Sequence, residues 1–496
     1  MLPLSLALLA LLSPSFAAPV VAPVGPLPQL DWKAAGEESA RVLAGYLQVD
    51  TQNPPGNESD GVRYLGGILD KEGISWEMSE YAPGRGSLIA RLNGSGAEKP
   101  LCMLSHVDVV TAEPARWSHP PLSGLIEDGY VWGRGALDMK GMGVTELMTM
   151  IWLKRLNAPL IRDVILLAVA DEEVDGAGVE HIAKQWDKIG CSQLVNEGGL
   201  GIKDLFFAGQ TVFAISNAEK GAMWVKMVAS GAPGHGSTPT PGRAPEHLKN
   251  ALDRLAERKD VVIWDDALME TFRRVGKQHG GMTGSILQSP GLVKLLVKPK
   301  LMAGPPTHAA LTNTVNVTGF GGAMKPNVVP SEVWAVLDVR ILPGTKPEAM
   351  LAELATVVND PAIRFDVISA TEGSRSPYDD TFFNALAARA VAGRDDAAAG
   401  PVMSVGYTDS NALRPLGVHA YGFVPFEVEG ADLGTMHGDN ERVSIANLEN
   451  GLKILLGAVM DVSVPAGAIA GLGVVAAPTP ATSASPPAPP PAPPQP

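Results

Sequence analysis

The chain is short of positive charge and of cysteine, and each shortage closes off a class of protein. It has 39 Lys plus Arg against 53 Asp plus Glu, a formal charge of −14. Clustered cations that could answer a phosphate backbone are missing overall, so a nucleic-acid partner is not expected. Only Cys102 and Cys191 occur in 496 residues, which excludes a disulfide framework or a thiolate zinc cluster. A single bridge between them remains open. Cys102 lies in the apolar run Leu101-Cys102-Met103-Leu104, so it reads as a buried core thiol. Beyond the N-terminus no segment reaches about 18 uninterrupted apolar residues, so no transmembrane span is expected.

The two ends read differently from the middle. Met1 to Ala17 has a short apolar run, Leu2 to Leu12, followed by small residues before Ala18. Residues 1–17 are therefore expected to be a signal peptide, with a secreted or periplasmic product. No charged residue follows Asp461, and Pro478 to Pro496 holds ten prolines in nineteen positions. Residues 463–496 are expected to form a disordered Pro/Ala-rich tail.

With 45% apolar residues the middle can bury a large core. Pro100 to Leu104 and Asp163 to Ala170 predict fully buried strands, and Gly143 to Leu156 and Gly178 to Trp186 predict helices. This alternation indicates an α/β catalytic domain with a mostly parallel sheet. Its first part spans 31–216 and its second 370–462. Between them, 217–369 reads as strand (Met223 to Ala229), helix (Ala244 to Arg258), a long variable segment, strands (Thr314 to Phe320, Val333 to Ile341), helix (Lys346 to Val358) and strand (Ile363 to Ser369). That βαββαβ order is the pattern of a small inserted α+β domain.

Several polar groups punctuate the apolar strands. Ser105-His106-Val107-Asp108 follows the first, and alternation places His106 and Asp108 on one side, where the carboxylate can orient the ring. Gly133-Arg134-Gly135-Ala136-Leu137-Asp138-Met139-Lys140-Gly141 precedes a helix and offers Asp138, either as a presented carboxylate or as a helix cap. Asp171-Glu172-Glu173 ends the most apolar strand, where three enclosed acids would need a cation for compensation. Asn196-Glu197-Gly198-Gly199 and Met436-His437-Gly438-Asp439 complete an inventory of two histidines and three carboxylates suited to two zinc-like ions. Each motif alone also fits a loop charge or a satisfied polar residue. His119 and His181 are read as bystanders, and Thr408-Asp409-Ser410 as either a pocket wall or a plain turn.

Taken together and in this order, the motifs SHVDVV (105–110), GRGALDMKG (133–141), DEE (171–173), NEGG (196–199), GAPGHGSTP (231–239), NVVPSEVWAVLDVRILPG (327–344) and MHGDNE (436–441) resemble the two-zinc exopeptidases and amidohydrolases. That family includes carboxypeptidase S, glutamate carboxypeptidase, aminoacylase and acetylornithine deacetylase. The resemblance covers roughly Asp31 to Asp461, and residues 218–239 look most like the carboxypeptidase S branch. It implies a zinc-exopeptidase-like catalytic domain with an inserted lid, and two Zn2+ ions, replaceable by Co2+ or Mn2+. His106 and Glu197 would hold one ion, Glu173 and His437 the other, with Asp138 shared. It further implies Glu172 as general base, Asp108 as the orienter of His106, and His235 as an oxyanion-stabilising group reaching a neighbouring subunit. Asn327 and Arg340 would hold the substrate carboxylate, and the lid would form a homodimer. Relatives commonly carry Asp where this chain has Asn196, so a negative charge beside the ligand Glu197 is missing.

Two divalent ions about 3.5–4 Å apart can lower the pKa of a shared water from near 16 toward 7, so that a bridging hydroxide attacks an amide. The expected substrate is therefore a peptide or an N-acyl amino acid. The expected enzyme is a metallopeptidase of carboxypeptidase or dipeptidase type. An N-acyl-amino-acid amidohydrolase is the alternative, and a non-catalytic binding protein is the remote one.

Overall fold

The computed structural model describes residues 24–322, 325–469 and 472. The expected signal peptide and the proline-rich stretch 478–496 lie outside the described residues. The folded part runs past the expected limit at Val462: helix Ile445–Ser463 leads into Val464 and Ile469, both buried. Contacts divide the chain into two units, Pro26–Cys191 with the stretch from Val428 onward, and Ser192–Glu427. The expected boundaries near 217 and 370 bracket a small antiparallel sheet, which runs from Gly221–Ser230 to Ile363–Ala370.

In the first unit the strands Trp76–Ala82, Arg85–Leu92, Val164–Val169 and Leu101–His106 lie in that order. The first three pair antiparallel and the last two parallel, so the sheet is mixed where a mostly parallel one was expected. The reason is the hairpin 76–92, which adds its return strand to the edge of Val164–Val169. Leu101–His106 and Val164–Val169 are buried at every residue, as continuous apolar runs covered on both faces must be. Their register pairs Leu101 with Val164 and His106 with Val169. Both strands thus end level, and the acidic turn after Val169 emerges beside His106.

Helix Lys140–Arg155 is buried from Lys140 to Leu153, which is why it shows no amphipathic stripe. It packs with Trp32–Leu47 and Ile445–Ser463. Its Glu146 is fully buried, and burial raises that carboxyl well above its ordinary value against the opposing pull of Ser105 and Leu104. The folded protein therefore keeps a proton on Glu146 that the unfolded chain, near 4.5, gives up. Stability from this group is present below about pH 4.5 and drains away as pH rises toward the folded value. Glu146→Gln is accordingly expected to leave the melting temperature near pH 5 unchanged and to raise it at pH 8, as thermal melts across pH will show.

The two cysteines are joined: Cys102 and Cys191 form a disulfide with their Cα atoms 5.8 Å apart. This corrects the expectation of a buried free thiol. Cys102 is indeed core, but the turn after helix Trp186–Ile189 delivers Cys191 against its strand.

In the second unit, Thr211–Glu219 pairs antiparallel with Gln193–Lys203 and parallel with Ala397–Ser404. The chain then enters a four-stranded sheet ordered Thr314–Gly321, Glu332–Ile341, Gly221–Ser230, Ile363–Ala370, antiparallel throughout. Helices Ala244–Ala256 and Pro347–Val358 supply its core partners, including Leu248, Ala251, Met350 and Leu354. Strand Glu332–Ile341 alternates buried and part-exposed residues, as a sheet covered on one face requires. The stretch read as a variable segment is helical instead. Asp266–His279, Gly281–Leu287, Lys298–Ala303 and Pro305–Leu311 gather around Phe272, Val275, Leu287, Val293, Leu301 and Leu311.

Among the described residues no helix is long and apolar enough to cross a membrane.

Candidate metal centre

His106 is almost wholly buried at the end of its strand. Its Nδ1 lies 2.8 Å from the backbone carbonyl of Asp108. A carbonyl oxygen can only accept, so Nδ1 carries a proton, and Nε2 is the nitrogen turned toward Asp138. Asp108 thus meets the ring through its backbone, while the closer oxygen of the carboxylate expected to orient it is 3.7 Å from Nδ1.

That carboxylate is turned to the next loop. Its two oxygens accept from the backbone N–H groups of Glu172 and Glu173, each at 3.1 Å. The Asn53 side-chain amide then bridges Asp108 (2.9 Å) and Asp171 (2.8 Å). Arg85 donates to Asp171 at 2.6 Å while holding Glu58 with two bonds of 2.7 Å. Asp171 adopts a left-handed backbone, φ 69°, which this set of bonds secures. Sequence reading missed Asn53, Glu58 and Arg85, because they come from separate segments with no local pattern. Asn53→Ala is expected to cost about 10–100-fold in kcat or metal affinity with the fold retained, the usual effect of loosening a group that orients ligands. Steady-state kinetics alongside metal titration check this.

Asp138 sits where two histidines meet. One of its oxygens is 3.1 Å from His106 Nε2 and the other 3.0 Å from His437 Nε2, which is also 3.2 Å from Glu173. Burial works to raise the Asp138 carboxyl, but its bonds to His106 and His437 outweigh this and hold it well below the carboxylate range. Bonds to Asp138 and then Glu173 push His437 up to about 10. Asp138, Glu173 and His437 present ligand atoms all within 4.8 Å of one another.

The loop carrying Asp138 is held from below by Glu441, the last residue of the MHGDNE motif. Its buried carboxylate accepts from Gly135 N–H (2.9 Å), Leu137 N–H (2.7 Å), Asp138 N–H (3.0 Å) and Arg134 (2.6 Å). Gly135 has φ 90°, and a Cβ there would come within 2.7 Å of Val109, so only glycine fits this turn.

The remaining predicted residues lie in the second unit. Glu197 is partly buried on strand Gln193–Lys203. Its neighbour Asn196 donates to Ser410 (3.1 Å), which ties the Thr408-Asp409-Ser410 turn to that strand. His235 is exposed and 2.7 Å from the Ser237 hydroxyl. Its short strand pairs with Val328–Val329, and Gly236 N–H donates to the Asn327 carbonyl, so His235 and Asn327 are neighbours. Arg340 is paired with Asp338 at 2.7 Å. As for the bystanders, His181 meets Ser79 (2.9 Å) and His119 rests against Trp132.

The donor set fits a cation. His106 turns its Nε2 toward an Asp138 oxygen at 3.1 Å, an arrangement that needs a proton or a metal ion between them. His437 does the same toward two carboxylates, and one Glu173 oxygen is buried with no hydrogen-bond partner. Imidazole nitrogens and carboxylate oxygens around one bridging aspartate define a metal-binding hydrolase site.

The chain belongs to the peptidase family M20/M25/M40, whose model matches residues 102–461. It is 28% identical over 366 residues to the N-fatty-acyl-amino acid synthase/hydrolase PM20D1 of Homo sapiens, covering 72% of this chain and 73% of that protein. It is also 28% identical to the probable carboxypeptidase S-like 2 of Dictyostelium discoideum, covering 70% and 69%. Its fold is similar to that of an M20 family metallo-carboxypeptidase, Sso-CP2 from Sulfolobus solfataricus. There the TM-score is 0.64 at 21% identity, over 85% of this chain and 98% of that one. The chain is thus an M20 metallopeptidase-type hydrolase acting on amide bonds.

Proposed function

We propose that this is an exported, two-zinc exopeptidase of carboxypeptidase or dipeptidase type that cleaves the amide bond next to a free α-carboxylate. The observation that carries the reading is Asp138, whose two oxygens each face a different imidazole. His106 and Glu197 would hold one ion, Glu173 and His437 the other, and Asp138 both. Bound there, the ions lower the pKa of water and polarise the scissile carbonyl. Glu172 takes a proton from the attacking water and passes it to the leaving nitrogen as the C–N bond breaks. Asn327 and Arg340 bind the substrate carboxylate. Arg340 must exchange its partner Asp338 for the substrate to do so. His235, exposed and steadied by Ser237, donates to the oxyanion of a partner subunit's substrate, which makes the active form a homodimer through the inserted sheet.

Export is supported by the apolar N-terminus and by the Cys102–Cys191 bridge, since disulfides persist in oxidising compartments. The similarity to an N-fatty-acyl-amino acid hydrolase favours a second reading, in which a fatty acyl group replaces the N-terminal residue. Chelation followed by Zn2+, Co2+ or Mn2+ add-back, read on a panel of N-blocked dipeptides and N-fatty-acyl amino acids, separates the two. Selective turnover of the acyl series would overturn the peptidase reading, and full activity after chelation would overturn both.

A further inference from the structure

In a chain of net charge −14, the stretch from Thr271 to Ser331 contains no Asp or Glu and carries seven Lys plus Arg. Its helical run Pro290–Ala303 has two apolar stripes. Val293, Val297 and Leu301, spaced by four, face inward onto Phe272, Val275 and Leu287. Leu292, Leu295 and Leu296, spaced by three and four, face outward and are 39%, 71% and 55% exposed. Met282, on the preceding helix, is 82% exposed. Lys294, Lys298 and Lys300 flank the outer leucines and are exposed, and among the described residues no ion pair holds any of them. Lys294 instead lies 5.9 Å from the Trp264 ring.

An inner stripe that anchors the helix leaves the outer one free to serve a partner, and the lysines specify its sign. We propose that Pro290–Ala303 docks this protein on the surface of an anionic lipid bilayer. Leu292, Leu295 and Leu296 enter the acyl boundary, and Lys294, Lys298 and Lys300 meet the headgroup phosphates. A second copy of the chain would bring the same lysines to the same face, whereas an anionic bilayer neutralises them. Along the run itself no carboxylate opposes its lysines.

The test is flotation of the full chain with phosphatidylcholine vesicles, with and without roughly one-third phosphatidylglycerol. Each lysine near an anionic surface strengthens binding about fivefold, so the triple change Lys294→Glu, Lys298→Glu, Lys300→Glu should weaken it by ~100-fold or more. The pair Leu295→Ser, Leu296→Ser should abolish flotation at any salt concentration. Both variants should keep the parent's melting temperature and its turnover in solution. Flotation of the parent with the anionic vesicles but not with phosphatidylcholine, lost in both variants, supports the proposal. Failure of the parent to float with anionic vesicles, or parent-like flotation of either variant, overturns it. So does lipid-free self-association of the parent that the leucine changes remove, because the occupant is then a second copy.

Discussion

Glu172→Gln is expected to lower kcat by about 10²–10⁴-fold, the contribution of a well-placed proton-transfer group. The backbone of Glu172 is fixed by the Asp108 carboxylate at 3.1 Å, and its side chain is partly buried at the end of an apolar strand. The substitution removes the carboxylate that can accept a proton but keeps the size of the side chain and every one of those backbone bonds. Metal content, by elemental analysis of the purified variant, should therefore match the parent, and KM should change far less than kcat. The pairing of these readouts is what makes the test sharp. A fall in bound metal would make Glu172 part of the ligand shell, while undiminished kcat would remove it from proton transfer altogether.

The second large effect is expected at Glu441. Its carboxylate gathers three backbone N–H groups and the Arg134 guanidinium inside the protein. Burial raises its carboxyl above the ordinary range, and the bonds from Arg134, Asp138 and Gly135 oppose that rise. Glu441→Ala leaves a buried cation and three donors without an acceptor, and breaking such a buried pair costs about 3–5 kcal/mol. Denaturant unfolding should register that loss. Because the released loop is the one presenting Asp138, metal stoichiometry should fall as well. Glu441→Gln keeps one acceptor oxygen and should fall between parent and Ala. An Ala variant with parental stability and metal content would show that the loop is positioned by other means.

What could be read in advance follows from how local each signal is. His106, Asp138 and Glu173 are legible because each ends an apolar strand or follows a glycine turn, and strand ends in α/β sheets are where ligands gather. His437 is legible only by its place in an ordered set of motifs, and the part that Glu441 plays beneath the Asp138 loop is not legible at all. The inserted sheet is legible because Glu332–Ile341 alternates strictly and its flanking helices have clean apolar faces. After Asp266–His279, the helices of 281–311 are short and broken by glycine and proline, so their periodicity never accumulates. The Arg85, Asn53 and Glu58 network joins segments up to 118 residues apart and leaves no trace in any one of them. The geometry at Asp108 is legible only in part, for a related reason. Alternation places its side chain on the same face as His106, but it cannot tell that the ring will prefer a backbone carbonyl.

The bridge between Cys102 and Cys191 has a practical consequence. It ties the strand that delivers His106 to the residue where the chain first leaves the first unit and closes a loop across 89 positions. Loss of a native bridge of this kind typically costs about 2–5 kcal/mol. Thiol reductants, which are routine in buffers for metal-dependent enzymes, should thus inactivate this one by loosening its scaffold, apart from any effect on the ions. Reoxidation would reverse that loss and zinc would not, while the opposite holds for a chelator.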